Sequence, residues 1–434
     1  MFLDKSLIYT RILPSGCPAK VTFLNLGKNF LYYFLCLNIK ETIRRLLILM
    51  SFIIINILKI FYLPLIIFFY FSKHRFVQIN YHQFGTLAED LNRQVKKNYI
   101  RGYKSIILIP SFSQFSYIKE IFKDLIIIDN SFLNIVLLPM KHTSLISCTF
   151  KETNMNYNSN LWHQTHLPFT STGKEFRKRC KNKNIHTFKK KFIEEMSLYF
   201  KKNHSKLNIS KLIVFHHRPN FYNNTSARRG SEKSTYRPAI KYLLNKGYSV
   251  ICLVNSTSQK LSFGNKKYNE INIDYNKNKL LQFYLLAKCK GFICSDSGPS
   301  NLAPMFNIPV YDTNIPGANV NGINKKSVYL LKKVKLNNKI MTYKKLFEID
   351  YFQGLIYSNK WSELDFELIN NNSKEILEGI KEFINLNENT KITINKEQNF
   401  FNKSLPNHMD LKWSGSNISR YFIKNNPRFF SGTI

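Results

Sequence analysis

Residues 285–312 read LLAKCKGFICSDSGPSNLAPMFNIPVYD, and the architecture of the chain follows from the pattern in this stretch. A helix-like run leads into the short apolar run GFIC at 291–294, which predicts a buried strand. A polar turn with a glycine comes next, and a helix is predicted at 300–306, before another strand at 309–311. Strand, turn and helix in this order are typical of a parallel sheet covered by helices.

The same alternation recurs along the chain and predicts two successive doubly wound α/β halves. The other predicted strands are 76–80, 105–110, 134–139, 211–215 and 248–254. The other predicted helices are 87–97, 117–125, 188–202, 237–246, 279–287 and 373–385. Among these helices, Thr187 and Ser373 are expected N-caps and Gly247 is an expected C-cap. The polar stretch 203–210 is typical of a linker, so the halves are expected to meet there.

The turn at 295–299 is the first candidate ligand site, because ligands of open α/β sheets bind outside the carboxyl ends of strands. Ser295 and Ser297 offer hydroxyl donors, and Gly298 lets a ligand approach the backbone. Pro299 suits the first turn of a helix, whose free N–H groups favour a phosphate. A capped turn without a ligand is the alternative.

The second motif is FHHR at 215–218, which follows another predicted strand. Arg218 is suited to clamp a diphosphate, and His216 or His217 can point the same way. Asp296 in the first turn has the same sign of charge as a phosphate, so it is expected to fix the turn, accept a sugar or ribose hydroxyl, or contact the acceptor. The turn therefore needs Arg218 to hold a diphosphate. A solvated basic loop is the alternative for this motif.

The third motif is YHQFGTLAED at 81–90, after the first predicted strand. His82, Glu89 and Asp90 are the candidate catalytic residues, with His82 as the general base that accepts a hydroxyl proton. The alternatives are a surface histidine and two acidic residues that complement a helix dipole.

The net charge is +37, from 64 Lys and Arg against 27 Asp and Glu. This excess suggests an anionic partner, and a compositional drift towards lysine is the alternative. No basic helix with interleaved aromatic residues or known binding motif accompanies the charge, so no nucleic-acid partner is predicted.

The cysteine and histidine patterns predict neither disulfides nor metal. Seven cysteines occur, an odd number without C-x-x-C spacing. The histidines show no spacing typical of metal ligands. We therefore expect a reducing compartment and no metal or other cofactor.

The most apolar stretch is LLILMSFIIINILKIFYLPLIIFFYFS at 46–72. As one helix it would be about 40 Å long, enough to cross a bilayer core. Asn56, Lys59 and Pro64 argue against a simple span. Because basic residues flank both ends, we expect a monotopic anchor on an anionic membrane surface. A single span and a buried core helix are the alternatives.

Two stretches, YRPAIKYLLNKGYSVI at 236–251 and DYNKNKLLQFYLLAKCKGFICSDSGPSNLAPMFNIPV at 274–310, resemble a family of predicted GT-B glycosyltransferases from bacterial surface-polysaccharide loci. The resemblance extends over residues 46–430. His216 and Arg218 match an H-x-R-like motif that is similar to the diphosphate-clamping arginine of fucosyltransferases. The turn with Ser295, Asp296, Ser297, Gly298 and Pro299 is similar to the nucleotide-sugar turn of heptosyltransferases.

The resemblance implies a GT-B-like α/β fold of two Rossmann-like doubly wound domains behind an N-terminal hydrophobic, membrane-associating helical segment. The implied divisions are 1–75 for that segment, 76–208 for the acceptor domain, 209–412 for the nucleotide-sugar domain and 413–434 for a helix that packs back on the N-terminal domain. The implied activity is metal-independent transfer of a hexosyl or related sugar from a nucleotide-sugar to a surface-polysaccharide or lipid-linked glycan. The expected location is the cytoplasmic face of the inner membrane.

Two departures from the family pattern bear on activity. Thr86 stands where the family has a histidine, and Asn255-Ser256-Thr257 stands where the family continues with arginine and glycine. A catalytically degenerate, membrane-bound scaffold of the same fold is therefore the alternative function.

Overall fold

The computed structural model describes the chain without gaps over 63–78, 101–109, 115–129, 186–219, 230–255, 260–274, 276–295, 297–316, 324–348, 366–389, 396–404 and 416–430, and at isolated positions between 31 and 147. The chain divides into two compact units, Met1–Pro168 and Phe169–Ile434.

The first unit contains a parallel sheet with the strand order β3-β2-β1-β4. Its elements are α1 (Leu63–Phe71), β1 (His74–Gln78), β2 (Lys104–Ile109), β3 (Ile126–Asp129) and β4 (Ile146–Ser147). The apolar runs that predicted β1 and β2 are confirmed, and Val77 and Ile107 are fully buried. Leu87, Leu91 and Val95 are buried on the predicted first helix of this half.

Two expectations for this unit meet different outcomes, and two of its strands were not expected. The helix predicted at 117–125 is replaced by a 3-10 turn, Ser116–Glu120, which leads directly towards β3. The strand predicted at 134–139 lies outside the described residues. β3 and β4 were not predicted, because runs of two to four residues carry little periodicity.

The second unit is built on a parallel sheet with the order β14-β10-β9-β8-β5-β6-β7. Its strands are β5 (Leu212–His216), β6 (Ser249–Val254), β7 (Tyr268–Asn272), β8 (Gly291–Ser295), β9 (Val310–Ile315), β10 (Val328–Leu331) and β14 (Asn417–Ile418). A small antiparallel sheet joins β11 (Lys333–Leu336), β12 (Lys339–Ile340) and β13 (Phe366–Ile369). The helices are α2 (Lys190–Asn203), α3 (Arg237–Asn245), α4 (Asn276–Lys288), α5 (Tyr343–Glu348), α6 (Ser373–Glu388), α7 (Lys396–Ser404), α8 (Arg420–Asn425) and α9 (Pro427–Phe430).

The strand order confirms a doubly wound α/β sheet in this unit. From β5 the chain proceeds outward through β6 to β7, then returns to β8 on the other side of β5 and proceeds through β9 to β10. This reversal between β5 and β8 is the topological switch point of a Rossmann-like sheet, beside which ligands bind.

The core of the second unit lies between the sheet and helices α3 and α6, where Leu243 and Phe383 are fully buried. Two glycines allow close packing of α6 on the sheet. A methyl group at Gly291 would lie 2.7 Å from the Phe383 ring, and one at Gly379 would collide with Tyr311.

Helix ends follow the sequence rules, with two corrections. Helix α3 ends before Gly247, whose φ of 84° confirms the predicted C-cap. At α6 the N-cap is Asn372 instead of Ser373, because Asn372 and Glu375 form a reciprocal capping box. At α2 the N-cap position is Lys189 instead of Thr187, without a side-chain cap.

Two segments are part of the second unit. Helix α2 packs against α4 and lies within Phe169–Ile434. The described residues of the C-terminal segment, 416–430, extend the second sheet through β14 and bury Phe422 and Phe429 in the second core. The predicted division of the chain at 208 and 209, and the packing of 413–434 on the N-terminal domain, stay predictions.

Of the apolar stretch 46–72, the structure describes α1 and a few positions before it. In the part of the chain that is described, no helix combines the length and hydropathy needed to cross a bilayer. The GT-B arrangement of the two units stays a prediction.

Candidate functional site

The candidate site lies where β5 and β8 end side by side. The two strands run parallel with His216 opposite Cys294, so the residues that follow them leave the same edge of the sheet. Both motifs of the second half that the sequence singled out therefore meet at the switch point.

A hydrogen bond ties the two motifs together. The backbone N–H of Arg218 donates to Ser295 Oγ at 2.8 Å, and Ser295 has no exposed surface. The sequence predicts Ser295 to be a ligand contact. In the structure its hydroxyl oxygen holds the turn after β5 against the end of β8.

Ser297 differs from Ser295, since its hydroxyl has no partner in the part of the chain that the structure describes. The residue is 2% exposed, and its Oγ makes no hydrogen bond. Its backbone is extended and precedes a 3-10 turn, Gly298–Asn301, without a side-chain cap. A buried polar atom without a partner costs about 1–3 kcal/mol, so such atoms are rare and call for an explanation such as a ligand.

The segment after Ser297 does not form the predicted α-helix. Instead of a helix at 300–306, two 3-10 turns follow, Gly298–Asn301 and Ala303–Phe306, and the second ends at Asn307 in the left-handed region. Pro304 explains the difference, because a proline in the second turn of an α-helix removes a hydrogen bond and clashes with the preceding turn. The helix dipole that was expected to favour a phosphate is therefore missing here.

His216 also has a ring nitrogen at this edge without a hydrogen-bond partner among the described residues. Its Nδ1 is buried and makes no hydrogen bond. Burial, with nearby positive charge as a smaller cause, lowers the pKa of His216 to about 3. The imidazole is therefore neutral near pH 7 and can donate or accept a hydrogen bond.

His217 has a structural role. Its Nε2 lies 2.8 Å from the carbonyl oxygen of Ser231, which only accepts, so Nε2 carries the proton. Burial lowers the pKa of His217 to about 4, while the Ser231 contact raises it by less. The ring also meets Tyr236 edge-to-face. Of the two neighbouring histidines, His216 is therefore the one that is suited to meet a ligand.

The loop that follows Arg218 is closed at its base. Ser231 N–H donates to the carbonyl oxygen of Arg218 at 3.1 Å, and Pro219 pairs with Ser231 in a parallel bridge. Lys332 Nζ donates to the carbonyl oxygen of Gly230 at 2.6 Å from a buried position. These contacts fix the backbone on both sides of residues 220–229, which lie outside the described residues.

A buried lysine that is paired with a glutamate lies near the two histidines. Lys233 Nζ lies 2.7 Å from Glu270 Oε1, with 4% and 11% of the side chains exposed. Glu270 Oε1 also accepts from Tyr268 Oη at 2.6 Å and from the N–H of Leu261 at 3.0 Å. The charge of Lys233 contributes to the lowered pKa of His216. No pattern in the sequence indicated this pair.

A network of buried polar side chains is hydrogen-bonded to the backbone near the end of β8. Thr313 Oγ1 donates to the carbonyl oxygen of Cys294 at 3.0 Å, and the Tyr236 hydroxyl contacts Thr313 Oγ1. Asn314 Nδ2 donates to that tyrosine oxygen at 3.1 Å. Since Thr313 donates to Cys294, Tyr236 is the donor to Thr313. Burial raises the pKa of Tyr236, which keeps this donor protonated.

Several predicted site residues lie outside the described part of the chain. They are His82, Glu89, Asp90 and Asp296. Gly298 and Pro299 are the first two residues of the 3-10 turn that follows β8 and Ser297. Among the residues that the structure describes, no three His, Cys, Asp or Glu side chains are grouped to hold a metal ion. Metal independence stays a prediction.

Comparisons with known proteins return structural neighbours only. No protein-family profile matches the chain, and no curated protein matches it in sequence. The E. coli ADP-heptose LPS heptosyltransferase II is similar at 11% identity and a TM-score of 0.37, over 59% of this chain and 90% of that one. A glycosyl transferase family 9 structure from Veillonella parvula DSM 2008 is similar at 10% identity and a TM-score of 0.43, over 73% and 97%. NodZ alpha-1,6-fucosyltransferase, soaked with GDP-fucose, is similar at 12% identity and a TM-score of 0.33, over 56% and 95%.

All three of these neighbours are glycosyltransferases. At such identities the chemistry of this chain has to be inferred from its own side chains.

Proposed function

We propose that this chain is a glycosyltransferase that uses a nucleotide-sugar donor, and that the donor's diphosphate binds at the carboxyl ends of β5 and β8. The observation that carries the proposal is the pair of buried, unpartnered atoms Ser297 Oγ and His216 Nδ1 at the switch point. Each is a neutral group that can donate a hydrogen bond to a phosphate oxygen.

Arg218 supplies the charge that these neutral groups lack. Ser295 holds the backbone of Arg218, so the Arg218 side chain extends from a fixed point at the same edge of the sheet. Arginine recognises phosphate with paired hydrogen bonds, and charge-assisted bonds are about twice as strong as neutral ones. Lys233 adds a second positive charge nearby, although Glu270 partly offsets it.

The reaction follows from placing a leaving group at this edge. The bond between the anomeric carbon and the diphosphate breaks, and an acceptor hydroxyl oxygen bonds to that carbon. A base accepts the hydroxyl proton while the nucleoside diphosphate departs with the electron pair. Arg218, Ser297 and His216 would stabilise the growing negative charge without a metal ion.

The residues proposed to act on the acceptor lie in the first half of the chain. His82 is proposed as the base, with Glu89 and Asp90 as further acid–base candidates. A surface-polysaccharide or lipid-linked glycan is the proposed acceptor, reached at the cytoplasmic face of the inner membrane.

Calorimetric titration of the full chain with UDP, GDP and ADP and with their sugars tests the proposal, and CMP with its sugars, which carry a single phosphate, is the comparison. We expect one nucleotide series to bind, and the matching nucleotide-sugar to be turned over in the presence of acceptor membranes. If none of these ligands binds even at high concentration, the glycosyltransferase proposal is wrong.

A second candidate is a non-catalytic scaffold of the same fold, which the threonine at position 86 favours. It predicts nucleotide-sugar binding without hydrolysis or transfer, and binding that does not change in Arg218→Ala. Substituting Thr86 by histidine separates the two candidates, because a degenerate site with intact binding would then gain turnover.

A further inference from the structure

Helix α1 has one apolar face on the first unit and a second apolar face in solvent. Leu65 and Phe69 pack against the sheet, and the Phe69 and Phe76 rings meet edge-to-face with centroids 4.7 Å apart. The side chains on the outer face are exposed by 47% to 76%, namely Leu63, Ile67, Phe68, Tyr70 and Phe71.

These outer residues form one stripe, because spacings of three and four residues place side chains on the same side of a helix. The stripe belongs to a wider concentration of exposed apolar groups. Among the described residues, twelve of the sixteen exposed large apolar side chains precede residue 72. A contiguous exposed apolar surface of this kind marks an interaction site.

Positive charge surrounds the C-terminal end of α1. Lys73 follows the helix with a φ of 56°, and its carbonyl oxygen accepts from the N–H of Lys104 at 2.9 Å, so the two exposed lysines are neighbours. Arg101 is exposed in the turn before Lys104. The sequence contains no Asp or Glu at 42–88 or at 91–119. The exposed Asp124 lies on the neighbouring segment, two residues before the Ile126 that pairs with Ile106, so the charge around this end of α1 is mainly positive.

A buried arginine fixes this arrangement. Arg75 Nη1 donates to the carbonyl oxygens of Phe69 and His74 at 3.2 and 2.7 Å, and its guanidinium lies 3.9 Å from the Tyr103 ring centroid. The end of α1 is therefore joined to the sheet. The apolar stripe and the basic rim keep a fixed orientation to each other.

We propose that the outer face of α1 docks on an anionic bilayer surface, with Phe68 and Phe71 among the lipid chains near the interface and Lys73, Arg101 and Lys104 at the headgroups. Aromatic side chains with flanking cations are the residues that bind such interfaces. A second copy of the chain is disfavoured, because it would bring two sets of like charges together. The inference is independent of the proposed activity.

The test places a tryptophan on the stripe of the full chain. Phe71→Trp is mixed with phosphatidylcholine vesicles that contain brominated lipid, either with or without phosphatidylglycerol, and wild-type fluorescence is subtracted. The control is Leu198→Trp, which replaces an equally exposed apolar residue on α2. We expect quenching of Phe71→Trp on anionic vesicles and none of Leu198→Trp. If bound protein shows no quenching at position 71, the proposal is overturned.

Binding of variants to anionic vesicles gives a second measurement. Lys73→Gln/Arg101→Gln/Lys104→Gln should lower the partition coefficient roughly a hundredfold, whereas the matched charge control Lys201→Gln/Lys202→Gln/Lys206→Gln should lower it far less. Phe68→Ser/Phe71→Ser should lower it at least tenfold, against no change in Leu198→Ser. Equal losses in test and control variants would contradict docking through this face. So would a dimer that depends on Phe68 and Phe71.

Discussion

The backbone N–H of Arg218 lies 2.8 Å from Oγ of Ser295, across 77 residues of sequence. The contact joins the ends of two strands that are neighbours in the sheet, at the point where the chain reverses its direction of winding. The two motifs therefore form one site, and a change in either one affects the other.

Ser295→Ala should lower both stability and ligand affinity. The substitution leaves the N–H of Arg218 without its acceptor, so we expect the free energy of unfolding to fall by about 1–3 kcal/mol. Nucleotide affinity should fall as well, because Arg218 loses its fixed position. Urea unfolding and calorimetry measure the two effects. Ser205→Ala, at an exposed loop position, is the control, and wild-type stability in Ser295→Ala would contradict the role given to Ser295.

Ser297→Ala should separate stability from affinity. Removing a buried hydroxyl that has no partner leaves the free energy of unfolding unchanged or raises it by about 1 kcal/mol. The same change removes a hydrogen bond to the ligand, so nucleotide affinity should fall about tenfold. Thermal unfolding with and without nucleotide measures both. A loss of stability in the ligand-free protein would show that Ser297 has a structural partner instead.

Arg218→Ala should weaken nucleotide binding strongly. A charge-assisted hydrogen bond contributes about 1.5–3 kcal/mol, which corresponds to roughly a 10- to 150-fold loss of affinity. Arg218→Lys should recover part of the loss, since it keeps the charge but not the paired geometry. Lys211→Ala is the matched control, because Lys211 is exposed at the opposite end of the same strand. Similar losses in both alanine variants would point to a general effect of charge.

The two histidines after β5 predict a loss of stability in acid. Their pKa values in the folded chain are about 3 and about 4, against an ordinary value of 6.5. Below the ordinary value the unfolded chain binds more protons, so the free energy of unfolding falls as the pH drops from about 6.5 to about 4. Each histidine should contribute a slope of about 1.4 kcal/mol per pH unit in that window.

Urea unfolding at about pH 5 and about pH 7 measures this slope. His216→Gln/His217→Gln should flatten it, whereas the behaviour above pH 7 should not change, because neither histidine titrates there. An unchanged slope in the double variant would mean that other groups cause the acid sensitivity.

Gly379→Ala should destabilise the second unit, against the usual trend. In a helix interior this change ordinarily stabilises by about 0.5–1 kcal/mol. Here the new methyl group would collide with the Tyr311 hydroxyl, which donates to the carbonyl oxygen of Ile376 at 2.8 Å. We expect a loss of about 1–3 kcal/mol in denaturant unfolding. Adding Tyr311→Phe should recover part of it, and a stabilised Gly379→Ala would contradict the close contact.

The buried strands of the second unit were readable from sequence because they are apolar along their whole length. β5, β6 and β8 begin and end within a residue of the runs that predicted them. β7 was missed, because its sequence YNEIN buries only Ile271 and shows no apolar run. The failed helix at 300–306 has a local cause in Pro304, which outweighed the apolar pattern.

The candidate site was only partly predictable. The positions of Arg218 and Ser297 followed from strand ends, which is a topological rule. The Lys233–Glu270 pair spans 37 residues and involves a strand without a sequence signal, so nothing local indicated it. That Ser295 is bonded and Ser297 is not depends on backbone direction after β8, which two serines in one turn do not reveal.

The prolines after β8 have a consequence for how this site is inherited. Because the two 3-10 turns that contain Pro299 and Pro304 provide no aligned helix of peptide groups, recognition of the proposed diphosphate would depend on side chains such as Arg218 and His216. A substitution almost always leaves the backbone peptide group in place, whereas a change in a single codon can remove a guanidinium or an imidazole. Lineages that share this sheet would therefore gain, exchange or lose donor recognition in single mutational steps while the fold stays intact.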